Sequence, residues 1–211
     1  MKKSVFICML MMPVMHGITL MAQDQDSTVR PQWSHELNTG FYFIPDDFFV
    51  LPVYQANNGW LHLEARYNYE DRKTFSAWFG YNFSGGNKFR YTITPMAGGI
   101  AGNTCGIAPG LELTFDFCGF EFYSESEYVF DLQGKEGDFY YNWTDFSWSP
   151  LEWLWFGLSI QRTKLYETDL DIQRGLLLGG GYRWFGLSGY LYNLGFDDPY
   201  FILVLSLTLP D

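Results

Sequence analysis

The chain has 211 residues, a formal net charge of −11 at pH 7 and an aromatic content of 20%. This acidic balance excludes nucleic acid as a partner, because binding to phosphate groups requires clustered Lys and Arg side chains. Beyond the N-terminal segment, no apolar run reaches about 18 residues, the length that a membrane-spanning helix needs.

The N-terminal segment has the pattern of an export signal. Met1-Lys2-Lys3 is basic, Val5–Leu20 is mostly apolar, and Ala22 is the small residue that a signal peptidase requires. The sequence therefore predicts a signal peptide over residues 1–22, a flexible lead-in over residues 23–32 and one domain over residues 33–211.

From Trp33 onward the chain is a succession of strand-like segments of about 9–12 residues, the length of a tilted membrane-crossing strand. Polar or glycine-containing links separate them, among them Ser149–Glu152 and Phe185-Gly186. The predicted strands are Trp33–Phe43, Phe48–Gln55, Trp60–Glu70, Thr74–Phe83, Phe89–Gly98, Ile107–Phe117, Phe120–Phe130, Phe139–Trp148, Trp153–Lys164, Ile172–Trp184, Leu187–Asn193 and Tyr200–Leu209.

The segment Leu111–Glu127 shows the clearest alternation of apolar and polar side chains. Leu and Phe occupy one face of it, and Glu, Asp and Thr occupy the other. A turn at Cys118-Gly119 pairs Asp116 with Glu121 and Glu112 with Glu125. A second hairpin with a three-residue turn at Asp71–Lys73 pairs Glu70 with Thr74, Asn68 with Ser76, Arg66 with Trp78 and His62 with Asn82.

Alternation alone leaves two barrels open. A soluble lipocalin-like barrel turns its apolar face inward, whereas a membrane barrel turns it outward. Strand length, short turns and aromatic residues near strand ends favour the membrane barrel. The aromatic residues predicted to lie together at one interface are Trp60, Trp148, Trp153, Trp184 and Phe185.

The predicted fold is all-β: an up-and-down antiparallel transmembrane β-barrel of ten to twelve strands. An even number returns both termini to the side with the shorter turns. Twelve is preferred, because all twelve segments fit the alternation of short turns on one side and longer links on the other. The segment Phe48–Gln55 is the least regular strand, since Pro52 lacks a backbone donor.

From Trp33 to Leu209 this pattern resembles the small outer-membrane β-barrel proteins of Gram-negative bacteria. The resemblance implies location in the outer membrane and contact with the lipid bilayer and lipopolysaccharide. It also implies insertion by the outer-membrane assembly machinery.

Charged residues on the polar faces are the candidates for a functional site. We expect ten of them to line the lumen: His62, Glu64, Arg66, Arg90, Glu112, Asp116, Glu121, Glu125, Glu127 and Arg183. Arg90 is the predicted partner of these acids, because it opens the preceding strand at the depth of Asp116. The lumen is then either plugged by an ion-paired network or a water-filled passage that favours small cationic solutes.

The predicted function is a narrow cation-preferring channel or a structural envelope protein. The alternatives are a lipid-modifying hydrolase in the outer membrane and a soluble periplasmic barrel that binds an apolar ligand. We expect no catalytic residues, because no serine lies within reach of a histidine in these pairings. We expect no metal or cofactor, since His62-x-Glu64 supplies only two ligands.

Overall fold

The computed structural model describes residues 32–134, 137–164, 171–196 and 198–209. The predicted signal peptide and almost all of the predicted lead-in lie outside these residues. Across the described ranges, no helix is long and apolar enough to span a membrane.

The described residues form antiparallel strands that follow one another along the chain. They are β1 Ser34–Ile44, β2 Asp47–Asn58, β3 Leu61–Tyr67, β4 Phe75–Tyr81, β5 Phe83–Gly86, β6 Phe89–Ala101, β7 Gly106–Phe117, β8 Phe120–Asp131, β9 Phe139–Leu151, β10 Leu154–Arg162, β11 Gln173–Tyr182, β12 Phe185–Tyr192 and β13 Tyr200–Leu209.

Apart from β4 and β5, which do not pair with each other, each strand pairs with its neighbours in sequence, and β13 pairs with β1. Both β4 and β5 pair with β6, on successive parts of it, so they form one crossing interrupted at Asn82. The sheet therefore closes into a twelve-stranded up-and-down barrel. The predicted fold class and the preferred strand number are confirmed.

The two ends of the barrel have different connections. At one end every connection between the described strands is a two-residue turn, among them Cys118–Gly119, Glu152–Trp153 and Arg183–Trp184. The other end has one two-residue turn, Pro45–Asp46, and longer links such as residues 68–74 between these strands. Cys118 and Gly119 both have positive φ, 51° and 82°, as a type I′ hairpin turn requires. The predicted links at Ser149–Glu152 and Phe185-Gly186 are displaced, because β9 runs on to Leu151 and β12 already begins at Phe185.

The hairpin of β7 and β8 has the predicted register. Asp116 lies opposite Glu121, and Glu112 lies opposite Glu125. The two-residue turn leaves the strands one way to align, so local sequence is sufficient to fix the pairing.

The predicted register of β3 and β4 is wrong by two residues. Arg66 lies opposite Ser76 instead of Trp78. The predicted three-residue turn is replaced by a longer loop over residues 68–74, in which the Asn68 N–H donates to the Thr74 carbonyl and the Asn68 side chain accepts from the Lys73 N–H. Since the shift is even, each side chain keeps its predicted face.

Pro52 does not break β2. The strand keeps its pairing with β1 through Pro52, which lies opposite Thr39, and the ladder to β3 ends one residue away at Val53. The ten-strand alternative is therefore wrong.

Burial is inverted relative to a soluble barrel. Phe117 is 51% exposed on the outer surface, whereas Glu127 on the inner surface is 1% exposed. Trp60, Trp153 and Trp184 are exposed in or beside the two-residue turns. Apolar side chains outside and charged side chains inside are the arrangement of a membrane-spanning barrel, as predicted.

Two adjacent glycines of β6 allow a test of the luminal packing. An added Cβ at Gly98 would lie 2.4 Å from the Trp78 ring, whereas at Gly99 nothing lies within 4 Å. We expect Gly98→Val to destabilise the barrel by about 1–3 kcal/mol through overpacking, and Gly99→Val to have little effect. Urea unfolding in detergent, followed by tryptophan fluorescence, measures both. Equal effects of the two variants would contradict this assignment of faces.

Candidate functional site in the barrel lumen

The interior of the barrel is strongly acidic. Among the described residues, the buried charged side chains are eight carboxylic acids, one arginine and His62. The arginine is Arg66. The acids are Glu36, Glu64, Glu70, Glu112, Asp116, Glu125, Glu127 and Asp145.

The structure brings most of the predicted luminal residues together. Seven of them are buried inside the barrel: His62, Glu64, Arg66, Glu112, Asp116, Glu125 and Glu127. Glu121 and Arg90 are half-buried near the end with two-residue turns. Arg183 lies elsewhere, exposed in the turn after β11, with its guanidinium 5.2 Å from the Tyr182 ring. Because that turn comes two residues earlier than predicted, Arg183 lies in the turn and not in the strand.

Arg66 on β3 is the centre of the charged cluster. Its Nη1 lies 2.6 Å from Glu125 Oε1 and 3.1 Å from Glu127 Oε2, both on β8. Its Nε donates to Glu64 Oε2 at 2.5 Å. Glu70 Oε1 is 3.8 Å from Nη1. One guanidinium therefore faces four carboxylates from two strands and one loop.

Aromatic rings and a loop complete the surroundings of Arg66. The guanidinium carbon lies 4.4 Å from the centre of the Tyr69 ring and 4.6 Å from the Trp78 ring. Glu70 Oε1 accepts from Trp78 Nε1 at 3.1 Å and from Ser76 Oγ at 2.5 Å. The loop after β3 thus folds inward and adds Glu70 to the cluster.

Two tyrosines join the facing acids of β7 and β8. The Tyr123 hydroxyl lies 3.1 Å from both Glu112 Oε1 and Glu125 Oε2. The Tyr69 hydroxyl donates to Glu125 Oε2 at 2.6 Å. These bonds reduce the cost of placing two acids opposite each other, but a tyrosine adds no positive charge.

The cluster is short of positive charge. Five buried acids surround Arg66 and His62, and Glu70 Oε2 and Glu127 Oε1 have no hydrogen-bond partner. Burying a carboxylate without a compensating charge costs several kcal/mol. The cluster therefore carries more buried carboxylates than buried basic side chains among the described residues.

A second polar centre lies around Asp145 on β9. Asp145 accepts from Trp143 Nε1 at 2.9 Å, Ser159 Oγ at 2.5 Å and Tyr190 OH at 3.0 Å. Between it and Glu125 is a cavity of about 100 Å³. Asp145 and Glu70 are not among the predicted luminal residues. The alternation along β9 contains the signal for Asp145. Glu70 lies on the polar face of the predicted strand Trp60–Glu70, whereas in the structure it belongs to the loop after β3.

Arg90 compensates only part of the acidic interior. It lies opposite Asp116, and its Nη2 is 3.5 Å from Asp116 Oδ1. The cation beside Glu125 is Arg66, which is predicted to face inward from its own strand but not to contact β8.

The described hydrogen bonds of the two histidines do not include a serine. His35 Nδ1 contacts the Tyr54 hydroxyl at 2.7 Å on the outer surface, and His62 Nδ1 contacts Asn57 Oδ1 at 2.8 Å inside. Neither described histidine therefore forms the Ser-His pair on which a serine hydrolase depends.

No protein-family model matches the sequence, and no curated protein matches it. Solved structures do match. KdgM porin aligns at a TM-score of 0.61 with 10% identity, over 83% of this chain and 99% of that chain. KdgM porin in complex with disordered oligogalacturonate aligns at a TM-score of 0.57 with 10% identity, over 84% and 99% of the two chains. The predicted resemblance to small outer-membrane barrels is confirmed, and the chain has the barrel fold of KdgM porin.

Proposed function

We propose that this protein is a narrow channel of the outer membrane that prefers cations. The observation that carries the proposal is the excess of buried acids over arginine among the described residues. A lumen lined by carboxylates attracts cations and repels anions at close range. In this proposal the predicted luminal acids and Asp145 line the ion path through the barrel.

The acidic interior also bears on the class of solute. One of the similar porin structures contains oligogalacturonate, a sugar polymer that carries one carboxylate on each unit. The acids around Arg66 would repel such a polyanion. Small cations and basic solutes are therefore the proposed cargo here.

The surroundings of the channel follow from its outer surface. Exposed aromatic side chains at the end with two-residue turns suit a bilayer interface, and the exposed apolar belt suits lipid and lipopolysaccharide. We also propose that the chain is exported through a signal peptide cleaved after Ala22 and inserted by the outer-membrane assembly machinery.

A second candidate is a structural envelope protein with a closed lumen. Arg66, Glu70 and Glu127 are at most 1% exposed, which favours an ion-paired network that blocks the path. The two candidates differ in a single measurable property, the conductance of the reconstituted barrel.

Planar-bilayer recording in a KCl gradient tests both candidates. We expect small single-channel currents and a reversal potential whose sign reports K⁺ preferred over Cl⁻. If no current flows at any salt concentration, the result supports the second candidate, a structural envelope protein with a closed lumen. Chloride preference would contradict the proposed role of the acids.

The variant Glu125→Gln tests whether the buried cluster sets this preference. It removes one charge beside the cavity while keeping a hydrogen-bond acceptor, so the reversal potential is expected to move toward zero. The matched control is Glu152→Gln, in an exposed turn, which should leave the reversal potential unchanged. An identical response of the two variants would contradict a filter at Glu125.

A further inference from the structure

We propose that His62, Glu64 and Glu112 form a binding site for a divalent transition-metal ion of the Zn²⁺ class. The sequence predicts no metal site, because only two ligands are visible along one strand. The third comes from β7, which lies three strands away in the order β3-β4-β6-β7. This site does not depend on whether the barrel conducts.

The three ligand atoms converge at a distance that suits a metal. His62 Nε2 lies 3.0 Å from Glu64 Oε1 and 3.7 Å from Glu112 Oε2, and the three atoms lie within 4.8 Å of one another. Zn²⁺ holds nitrogen and oxygen ligands at about 2.0–2.2 Å in a tetrahedron, which separates the ligand atoms by about 3.2–3.6 Å. Little movement is needed to receive the ion.

The imidazole of His62 is oriented for this role. His62 is 3% exposed, and its Nε2 lies 3.0 Å from Glu64 Oε1 without the alignment of a hydrogen bond. Asn57 Oδ1 receives a hydrogen bond from Asn82 Nδ2 and lies 2.8 Å from His62 Nδ1, so Nδ1 carries a proton and donates it. In the neutral ring this leaves the Nε2 lone pair facing two carboxylates. A ligating histidine characteristically has its other nitrogen held in this way.

The two carboxylates are also held from behind. The second oxygen of Glu64 accepts from Arg66, and the second oxygen of Glu112 lies 3.1 Å from the Tyr123 hydroxyl. Gln55 also donates to Glu64 Oε1, the oxygen that faces His62. Outer-sphere contacts of this kind fix the direction of metal ligands.

Of the two strands between the ligands, β4 leaves room for the site. Gly80 on β4 lies opposite His62, and an added Cβ there would be 3.1 Å from the His62 ring and 2.9 Å from Thr94. A larger residue would push the imidazole out of line. A divalent cation at this position would also offset two of the excess negative charges described above.

The ligand set indicates the class of metal. Imidazole nitrogen is a good ligand for Zn²⁺, Cu²⁺ and Ni²⁺, whereas Ca²⁺ and Mg²⁺ prefer all-oxygen sites. One histidine and two carboxylates satisfy three positions and leave at least one for water or a solute.

Zn²⁺ binding to the full barrel, refolded in detergent and freed of metal with a chelator, tests the proposal. We expect one Zn²⁺ per chain by calorimetry and by elemental analysis after dialysis. His62→Gln should abolish this binding, and Asn57→Ala should weaken it about 10–100-fold by releasing the imidazole. The matched control is His35→Gln, which removes the histidine on the outer surface and should bind as the parent does.

Three outcomes would overturn the site: no Zn²⁺ bound by the parent protein, unchanged binding in His62→Gln, or equal loss in His35→Gln. If His62→Gln does not refold, X-ray absorption of the parent with Zn²⁺ decides. One imidazole with oxygen ligands supports the site. A sulfur ligand or a second imidazole contradicts it.

Discussion

Replacing Arg66 by methionine is expected to destabilise the barrel by about 3–5 kcal/mol. Methionine keeps much of the side-chain volume between Tyr69 and Trp78 but removes the guanidinium that faces Glu64, Glu125 and the other acids. Removing one partner of a buried ion pair leaves the other charge uncompensated, and the cost is of this size. Equilibrium unfolding in urea, from detergent micelles or lipid vesicles, measures the change.

Two comparisons make this result specific to the buried cluster. Arg72→Met removes an arginine whose Nη1 lies 2.5 Å from Asp47 Oδ2, but both side chains are partly exposed at the rim, so the unfolding midpoint should hardly move. Adding Glu125→Gln to Arg66→Met should restore part of the lost stability, because one stranded charge is removed. If Arg66→Met is as stable as Arg72→Met, the cluster does not depend on Arg66 for charge compensation.

The alternation of side chains is sufficient to predict which residues share a face of the barrel, because successive side chains of a strand point to opposite faces. Compared with a soluble barrel, a membrane barrel changes only which of the two faces is inside. The β7–β8 register followed as well, since a two-residue turn joins these strands. The β3–β4 register did not follow. Asn68 Nδ2 donates to the Val50 carbonyl on β2, and that contact between distant segments helps hold the longer loop.

The contacts inside the lumen could be predicted only in part. Each acid was placed inward from its own strand, but Arg66 and Glu125 are separated by about sixty residues, and barrel closure decides how far their strands are offset. The same closure brings Glu112 to His62, which neither strand indicates. A strand-by-strand interpretation therefore predicts which residues face the lumen, and the shear of the barrel decides which of them meet.

Replacing Asp145 by alanine is expected to destabilise the barrel by about 2–5 kcal/mol. Three buried donors, Trp143 Nε1, Ser159 Oγ and Tyr190 OH, would lose their shared acceptor. Each buried polar group left without a partner costs about 1–3 kcal/mol, and the three costs do not simply add. Ser159→Ala is the control. It leaves the carboxylate two donors but also removes the Ser159 hydroxyl that bonds the buried Tyr192 hydroxyl, so it should cost about 1–3 kcal/mol, less than Asp145→Ala.

Asp145→Asn separates the two properties of this carboxylate, acceptor and charge. The amide keeps one oxygen for the donors, so the variant should lose less stability than Asp145→Ala, while the cavity shared with Glu125 loses a negative charge. If the barrel conducts, this variant should have a reversal potential closer to zero. Equal destabilisation by asparagine and alanine would mean that the charge itself, not the acceptor oxygens, holds Trp143 and Tyr190 in place.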